Sequence, residues 1–186
     1  MIETADFNTL ILSAFTGKTT WLRASQQYTL DEFIDVFQRT RAAMQRTVDG
    51  LTDGQVAFHM NGVSTWSLSE TVTHLVYSQG FYNNALLDIT DAQIPHVVEA
   101  ARGFGEGGRL NVPADKLIVM LRQATIQINE TISQTRVVYK PAHTTHNLFF
   151  GEVTYATWVL LLTAHEVDHV RQSIVMRRYA RIIVPG

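Results

Sequence analysis

The stretch TYATWVLLLTAHEVDHVRQSIVM, residues 154–176, decides the fold expected of this chain. Its apolar residues recur at the three- and four-residue spacing of an amphipathic helix that begins at Thr154. A rotation of about 100° per residue groups seven side chains on one face. They are Trp158, Leu161, Leu162, His165, His169, Gln172 and Met176. The sequence therefore predicts a long helix whose core-facing side carries two histidines.

These two histidines are the first candidate functional residues. Burying an imidazole without a partner costs free energy, because its polar ring nitrogens leave water. Histidines four positions apart share a helix face and can bind one divalent ion together. His165 and His169 therefore indicate a metal site. The alternative is that both are ordinary core histidines with hydrogen-bond partners.

Three further helices are predicted before this one. Thr29 with Glu32, and Ser67 with Glu70, form capping boxes that start two of them, and Pro113 suits the first turn of the third. Each segment carries a single apolar stripe without strand-like alternation. The four helices are expected near residues 30–50, 67–89, 113–136 and 154–180.

This pattern predicts an all-α fold, a four-helix bundle with a long crossover connection between helices 2 and 3. The crossover comprises residues 90–112, which include Pro95 and a run of glycines. The 186 residues are expected to form a single domain. Residues 1–28 are an N-terminal appendage, with a short helix around Leu10 to Phe15 that packs on the main body.

In such a bundle the histidine pair needs a third ligand from a facing helix. His74 is the one histidine that falls within another predicted helix. Three neutral imidazoles leave a coordination position open, as in catalytic rather than structural metal sites. His143 and His146 lie in the segment before the last helix, where loop histidines are usually solvated, and their role stays open.

The run HEVDH at residues 165–169 also matches the metalloprotease pattern H-E-x-x-H. A protease needs a third ligand further on, but residues 170–186 contain no His or Glu, and no peptide-binding sheet is predicted. Glu166 stays a candidate catalytic acid or base. Arg41 lies in the middle of an apolar stripe, so it either extends its guanidinium past the helix edge to water or holds a substrate anion.

Composition narrows the function classes. A net charge of −2 argues against nucleic acid as a partner, because phosphate binding requires a basic surface. The absence of cysteine excludes thiolate ligands, so a metal must rest on His, Asp or Glu. No apolar run is long enough to span a membrane, and no secretory signal is recognisable, so a cytoplasmic protein is expected.

Two short motifs carry a resemblance to a known family. They are W-S-x-x-E-x-x-x-H-L at residues 66–75 and H-x-x-x-H-x-x-Q at residues 165–172. Over roughly residues 30–180 the chain resembles the DinB-like superfamily of metal-binding bundles. The resemblance implies a bundle that is often a homodimer, with a divalent metal held by the residues matching His74, His165 and His169. Characterised relatives include S-transferases and isomerases that use mycothiol, bacillithiol or glutathione.

The sequence thus predicts a divalent-metal-dependent enzyme, a thiol-dependent S-transferase or related isomerase acting on a small molecule. Its catalytic candidates are Glu166 and Arg41. Two alternatives remain: a metal-water hydrolase with Glu166 as base, and a non-catalytic bundle that binds or senses metal. Imidazole ligands suit zinc, nickel and iron alike, so the metal is not identified, and neither are the thiol and the electrophile.

Overall fold

The computed structural model describes residues 2–60, 65–90, 92 and 109–184. Its elements, in chain order, are α1 (Thr4–Phe15), α2 (Trp21–Ser25), α3 (Leu30–Val48), α4 (Asp53–Val56), α5 (Leu68–Thr90), α6 (Ala114–Arg136), β1 (Thr145–Asn147), β2 (Gly151–Val153) and α7 (Tyr155–Ile183). The four long helices α3, α5, α6 and α7 form a bundle and confirm the predicted fold class. Most of the expected crossover, including Pro95 and the glycine run, lies outside the described residues.

Helix α7 is the central element of the bundle. It packs against both α3 and α5, and α5 in turn packs against α6. The first turns of α7 are surrounded by the core, because residues 157–164 are all buried. The sequence predicted only one buried face for this helix. The additional cover comes from α2 and β2, which also contact α7.

The N-terminal appendage supplies part of that cover. Phe7 and Leu10 of α1 and Ala24 of α2 are buried in the same apolar cluster as the first half of α7. The hydroxyl of Ser25 lies 2.9 Å from that of Thr157, which ties α2 to the start of α7. Residues 2–28 therefore contribute to the apolar core around α7.

Local capping explains where the bundle helices begin. At α3, the Glu32 amide donates to the Thr29 hydroxyl, and the Thr29 amide donates to the Glu32 carboxylate. Before α5, the Ser67 amide donates to Glu70 at 2.7 Å and the Glu70 amide donates to the Ser67 hydroxyl at 3.1 Å. Both predicted capping boxes are confirmed. The box at Ser67 fixes the start of α5 about two turns before His74.

A short hairpin precedes α7 and was not predicted. Its strands pair in antiparallel register, with Thr145 opposite Val153 and Asn147 opposite Gly151. Gly151 has φ of 72°, a left-handed conformation that favours glycine. Three residues per strand are too few to show an alternating pattern in the sequence. Among the described residues, none of the helices combines the length and apolarity needed to cross a membrane.

Candidate metal centre

Three histidines from two helices converge on one small space. His74 comes from α5, and His165 and His169 come from successive turns of α7. The Nε2 atoms of His74 and His165 are 3.1 Å apart. One ligand nitrogen from each of the three rings lies within 4.8 Å of the others. His74 and His165 are 91 residues apart in the sequence, and the packing of α5 against α7 brings them together.

The spacing of these nitrogens fits a divalent ion. A Zn–N bond of about 2.0–2.1 Å puts two ligand nitrogens of a tetrahedral site about 3.3 Å apart. The 3.1 Å between the Nε2 atoms of His74 and His165 is close to that value. Without an ion, the same distance allows one Nε2–H to donate to the other Nε2. The donor set suits zinc, nickel or iron and does not distinguish them.

The environment of the two α7 histidines favours their neutral imidazoles, as metal binding requires. Burial lowers the pKa of His165 well below 6.5, and the neighbouring His169, His74 and Arg41 lower it further. Burial also lowers the pKa of His169, against a smaller opposing effect of Gln172 and Asp168. Both α7 histidines therefore present unprotonated nitrogens at neutral pH.

A glutamine orients one of the rings. The Nδ1–H of His169 donates to Oε1 of Gln172 at 3.2 Å, one turn further along α7. This bond selects the tautomer whose Nε2 carries the lone pair, and it holds the ring toward the cluster. Gln172 is the last residue of the H-x-x-x-H-x-x-Q motif, and its hydrogen bond with His169 gives this position of the motif a physical role.

Aromatic side chains enclose the cluster on two sides. The ring of Trp66 lies parallel to that of His169, with 5.9 Å between centroids and 12° between planes, and 4.9 Å from the His74 ring. The Tyr82 ring lies 5.7 Å from that of His165. The Cζ atom of Arg109 lies 4.9 Å from the Trp66 ring centre. Sequence reasoning missed Tyr82 and Arg109, because neither stands in a recognisable motif.

A buried ion pair lies behind the cluster, on the side of α3. Arg41 and Glu166 are each 1% exposed, and the Arg41 Nε lies 2.9 Å from the Glu166 Oε1. The Arg41 Nη2 donates to Glu166 Oε2 at 3.0 Å and to Gln79 Oε1 at 2.8 Å. The amide of Gln79 donates to the Ala124 carbonyl at 2.6 Å, so the network joins all four bundle helices.

These contacts decide between the two interpretations of Arg41. Its guanidinium is enclosed and does not extend to water, so the interpretation as a side chain that passes the helix edge is wrong. Its charge faces the Glu166 carboxylate rather than an open cavity. Burial raises the pKa of Glu166, while the charge and hydrogen bonds of Arg41 oppose that rise. The catalytic roles of Arg41 and Glu166 stay predictions.

The remaining predicted histidines lie elsewhere. His143 is exposed, and His146 lies on β1 with its Nδ1 3.1 Å from the Glu152 carboxylate. Over the described parts of the chain, one group of His, Asp or Glu side chains has the spacing of a metal site, and it is His74, His165 and His169.

Acid is expected to destabilise the metal-free protein through these histidines. Because the folded-state pKa values of His165 and His169 lie below 6.5, the unfolded chain binds more protons than the folded one as the pH falls below 6.5. The contribution of these two histidines to the free energy of unfolding is complete above pH 6.5. It is lost as the pH falls toward their folded-state pKa values, at up to about 1.4 kcal/mol per pH unit for each proton.

Urea denaturation of the chelated protein between pH 5 and 8 measures this dependence. The variant His165→Gln should show a smaller loss of unfolding free energy between pH 6.5 and 5 than the unmodified chain. Equal slopes for the two proteins would contradict the assignment of this acid sensitivity to the cluster.

The fold and the site together define a helical bundle with a three-histidine cluster suited to a divalent ion. Comparison with known structures supports the fold: a crystal structure of TT2238, described as a four-helix bundle protein, matches with a TM-score of 0.57 at 15% identity, over 78% of this chain and 98% of that one. No curated protein matches the chain significantly. The family model of the DinB superfamily matches residues 36–173, and the chain belongs to that superfamily.

Proposed function

We propose that this chain is a divalent-metal-dependent enzyme that joins a low-molecular-weight thiol to a small electrophile, or isomerises a substrate through such a thiol. One observation carries the proposal: the imidazoles of His74, His165 and His169 converge from α5 and α7, and three such ligands would leave a coordination position open on a bound ion. A metal held there would favour ionisation of a bound thiol. The chain contains no cysteine that could bind the metal in place of that thiol.

The chain's own residues prepare the site in three ways. Burial and mutual repulsion keep His165 unprotonated. Gln172 holds the ring of His169. The rings of Trp66 and Tyr82 restrict the approach of water beside the histidines. In the transfer itself, the thiolate sulfur forms a bond to the electrophilic carbon, the leaving group departs with its electron pair, and the thiol proton passes to solvent.

A cavity that could hold a second substrate lies further along α5 and α7, and none of the three histidines of the cluster lines it. It has a volume of about 280 Å³ and lies between α5, α7 and the hairpin, with Phe81 and Trp158 among its lining residues. Trp158 contacts Tyr82, and Tyr82 contacts His165, so these two rings connect the cavity lining to the histidine cluster. Its aromatic lining suits the apolar part of an electrophile.

The hydrolase alternative would require Glu166 to act on a water molecule. Both of its carboxylate oxygens face Arg41, and the side chain is 1% exposed. These contacts support a positioning role for Glu166 behind the ligands, and they do not favour the hydrolase.

Turnover measurements test the proposed function. Zinc-, nickel- or iron-loaded protein is incubated with 1-chloro-2,4-dinitrobenzene and with glutathione, mycothiol or bacillithiol, and the thioether is quantified by mass spectrometry. We expect thioether formation that requires both metal and thiol and that is lost on chelation. Ester hydrolysis without thiol would support the hydrolase instead. Full metal content with neither activity would support the non-catalytic alternative.

A further inference from the structure

The C-terminal part of α7 leaves several large apolar side chains in contact with water. Five of them are between 40% and 73% exposed, and they are Ile174, Val175, Tyr179, Ile182 and Ile183. A rotation of about 100° per residue places the last four of them next to one another on the helix surface, and we call these four the apolar strip. Apolar side chains scattered singly are ordinary on a protein surface, whereas a contiguous group indicates contact with another molecule.

Three exposed arginines lie beside the apolar strip. By the same rotation, Arg171, Arg178 and Arg181 are neighbours on the helix surface. Within the described parts of the chain, the side chains of Arg171 and Arg178 form no ion pair and no hydrogen bond. Residues 169–186 contain no Asp or Glu, and the exposed Asp168 stands one turn before Arg171. This side of α7 therefore carries an excess of positive charge even with Asp168 included.

The helix dipole explains this charge only in part. The negative end of the dipole favours cations within the last turn of a helix. Arg181 lies in the last turn of α7, but Arg171 lies about three turns before the end at Ile183. The dipole also gives no reason for large apolar side chains to remain exposed. Recognition of a partner that is both anionic and apolar accounts for the two features together.

A cavity adjoins the arginines, between α1, α3 and α7. It has a volume of about 240 Å³, and its apolar lining includes Phe7, Val36, Val170 and Ile174. Arg171 is also among the lining residues. The cavity therefore offers space for one large apolar side chain next to a cation. Side chains that anchor in such cavities contribute much of the binding energy of protein interfaces.

We propose that this surface of α7 binds an acidic amphipathic helix of a partner protein. The apolar side of such a helix packs on the apolar strip and places one side chain in the cavity, as in other helix-in-groove complexes. Its carboxylates pair with Arg171 and Arg178, because the guanidinium fork binds a carboxylate in a bidentate manner. A helix of about 12 residues is long enough to reach from Arg171 to Ile182. The three clustered histidines are not part of this surface, so the inference is independent of the proposed reaction.

Two other occupants fit the surface less well. A second copy of the chain, related by a two-fold axis, would present the same surface, which has three arginines and no acidic residue after Asp168 to pair with them. An anionic membrane matches the charge, but its headgroups offer no fixed apolar side chain for the cavity. An acidic amphipathic helix matches the apolar strip, the arginines and the cavity together.

Fluorescence anisotropy of labelled peptides tests the proposal on the full chain. The acidic probe is a stapled helical peptide of about 18 residues, with leucine at the a and d positions of each heptad and glutamate at most others. A matched peptide carries lysine in place of every glutamate. We expect the acidic peptide to bind at least about 10-fold more tightly than the lysine peptide, the combined effect of several exposed ion pairs. Arg171→Glu with Arg178→Glu should weaken its binding about 10-fold or more, and Ile182→Ser about three-fold or more.

The matched control is Arg46→Glu with Arg122→Glu, which changes the net charge by the same amount at exposed positions of α3 and α6. Neither residue lies on α7 or lines the cavity, so the affinity should stay within about two-fold at physiological salt. Failure of the acidic peptide to bind, or equal losses in the two double variants, would overturn the inference. Sedimentation with phosphatidylserine vesicles without peptide binding would assign the surface to a membrane instead. Self-association that is lost in Arg171→Glu with Arg178→Glu, again without peptide binding, would assign it to a second copy, and either result overturns the partner helix.

Discussion

Replacing His165 with alanine is expected to lower the affinity of the protein for its metal by more than about 100-fold. Loss of a residue that merely orients a ligand typically costs about 10–100-fold in affinity, and loss of the ligand itself removes a bond as well. His165 packs against both other rings, with its centroid 4.7 Å from that of His169 and 5.1 Å from that of His74. Its replacement leaves two nitrogens, too few for an open three-ligand site.

Metal content shows the effect directly. Protein purified without a metal-affinity tag is dialysed against buffered zinc, and the metal-to-protein ratio is measured by mass spectrometry. The matched control is His146→Ala, which removes an exposed histidine outside the cluster and should keep full occupancy. A His165→Ala variant that folds and retains one metal per chain would show that the cluster is not the metal site.

The sequence alone was sufficient for the long helices and for the choice of three histidines that the fold brings together. The helices were predictable because each carries an apolar stripe of helical period, and two of them begin with a capping box that the structure retains at Thr29 and Ser67. The three histidines were predictable because two share one helix face and a third lies on another helix. Packing of α5 against α7 then brings them together.

The surroundings of the cluster were not predictable in the same way. Arg109 reaches Trp66 from the end of a long connection, and nothing in its local sequence indicates where that connection returns. The hairpin strands are too short to give a periodic signal. Arg41 illustrates the limit most clearly. Its place in an apolar stripe predicted either a guanidinium that reaches water at the helix edge or one that holds a substrate anion, and the packing of α3 against α7 instead places the Glu166 carboxylate beside it.

Replacing Arg41 with methionine is expected to destabilise the metal-free protein by about 3–5 kcal/mol, because it leaves the Glu166 carboxylate buried without a counter-charge. The Gln79 carbonyl also loses the donor that lies 2.8 Å from it. The reciprocal change, Glu166→Leu, leaves the Arg41 guanidinium buried without a counter-charge. It should lower the free energy of unfolding by a similar amount. The free energy of unfolding of each variant is measured by urea denaturation in the presence of a chelator.

The double variant Arg41→Met with Glu166→Leu distinguishes a buried ion pair from two independent packing contributions. Because both charges then disappear together, its loss of stability should be far smaller than the sum of the single losses, by about 3 kcal/mol or more. Arg136→Met serves as the control, since it breaks an ion pair with Asp31 whose partners are 46% and 67% exposed, and exposed pairs contribute about 1 kcal/mol or less. Strict additivity of the two single variants would contradict the pairing. A coupling of that size would show that the opposite charges of Arg41 and Glu166 hold α3 and α7 together directly behind the three histidines.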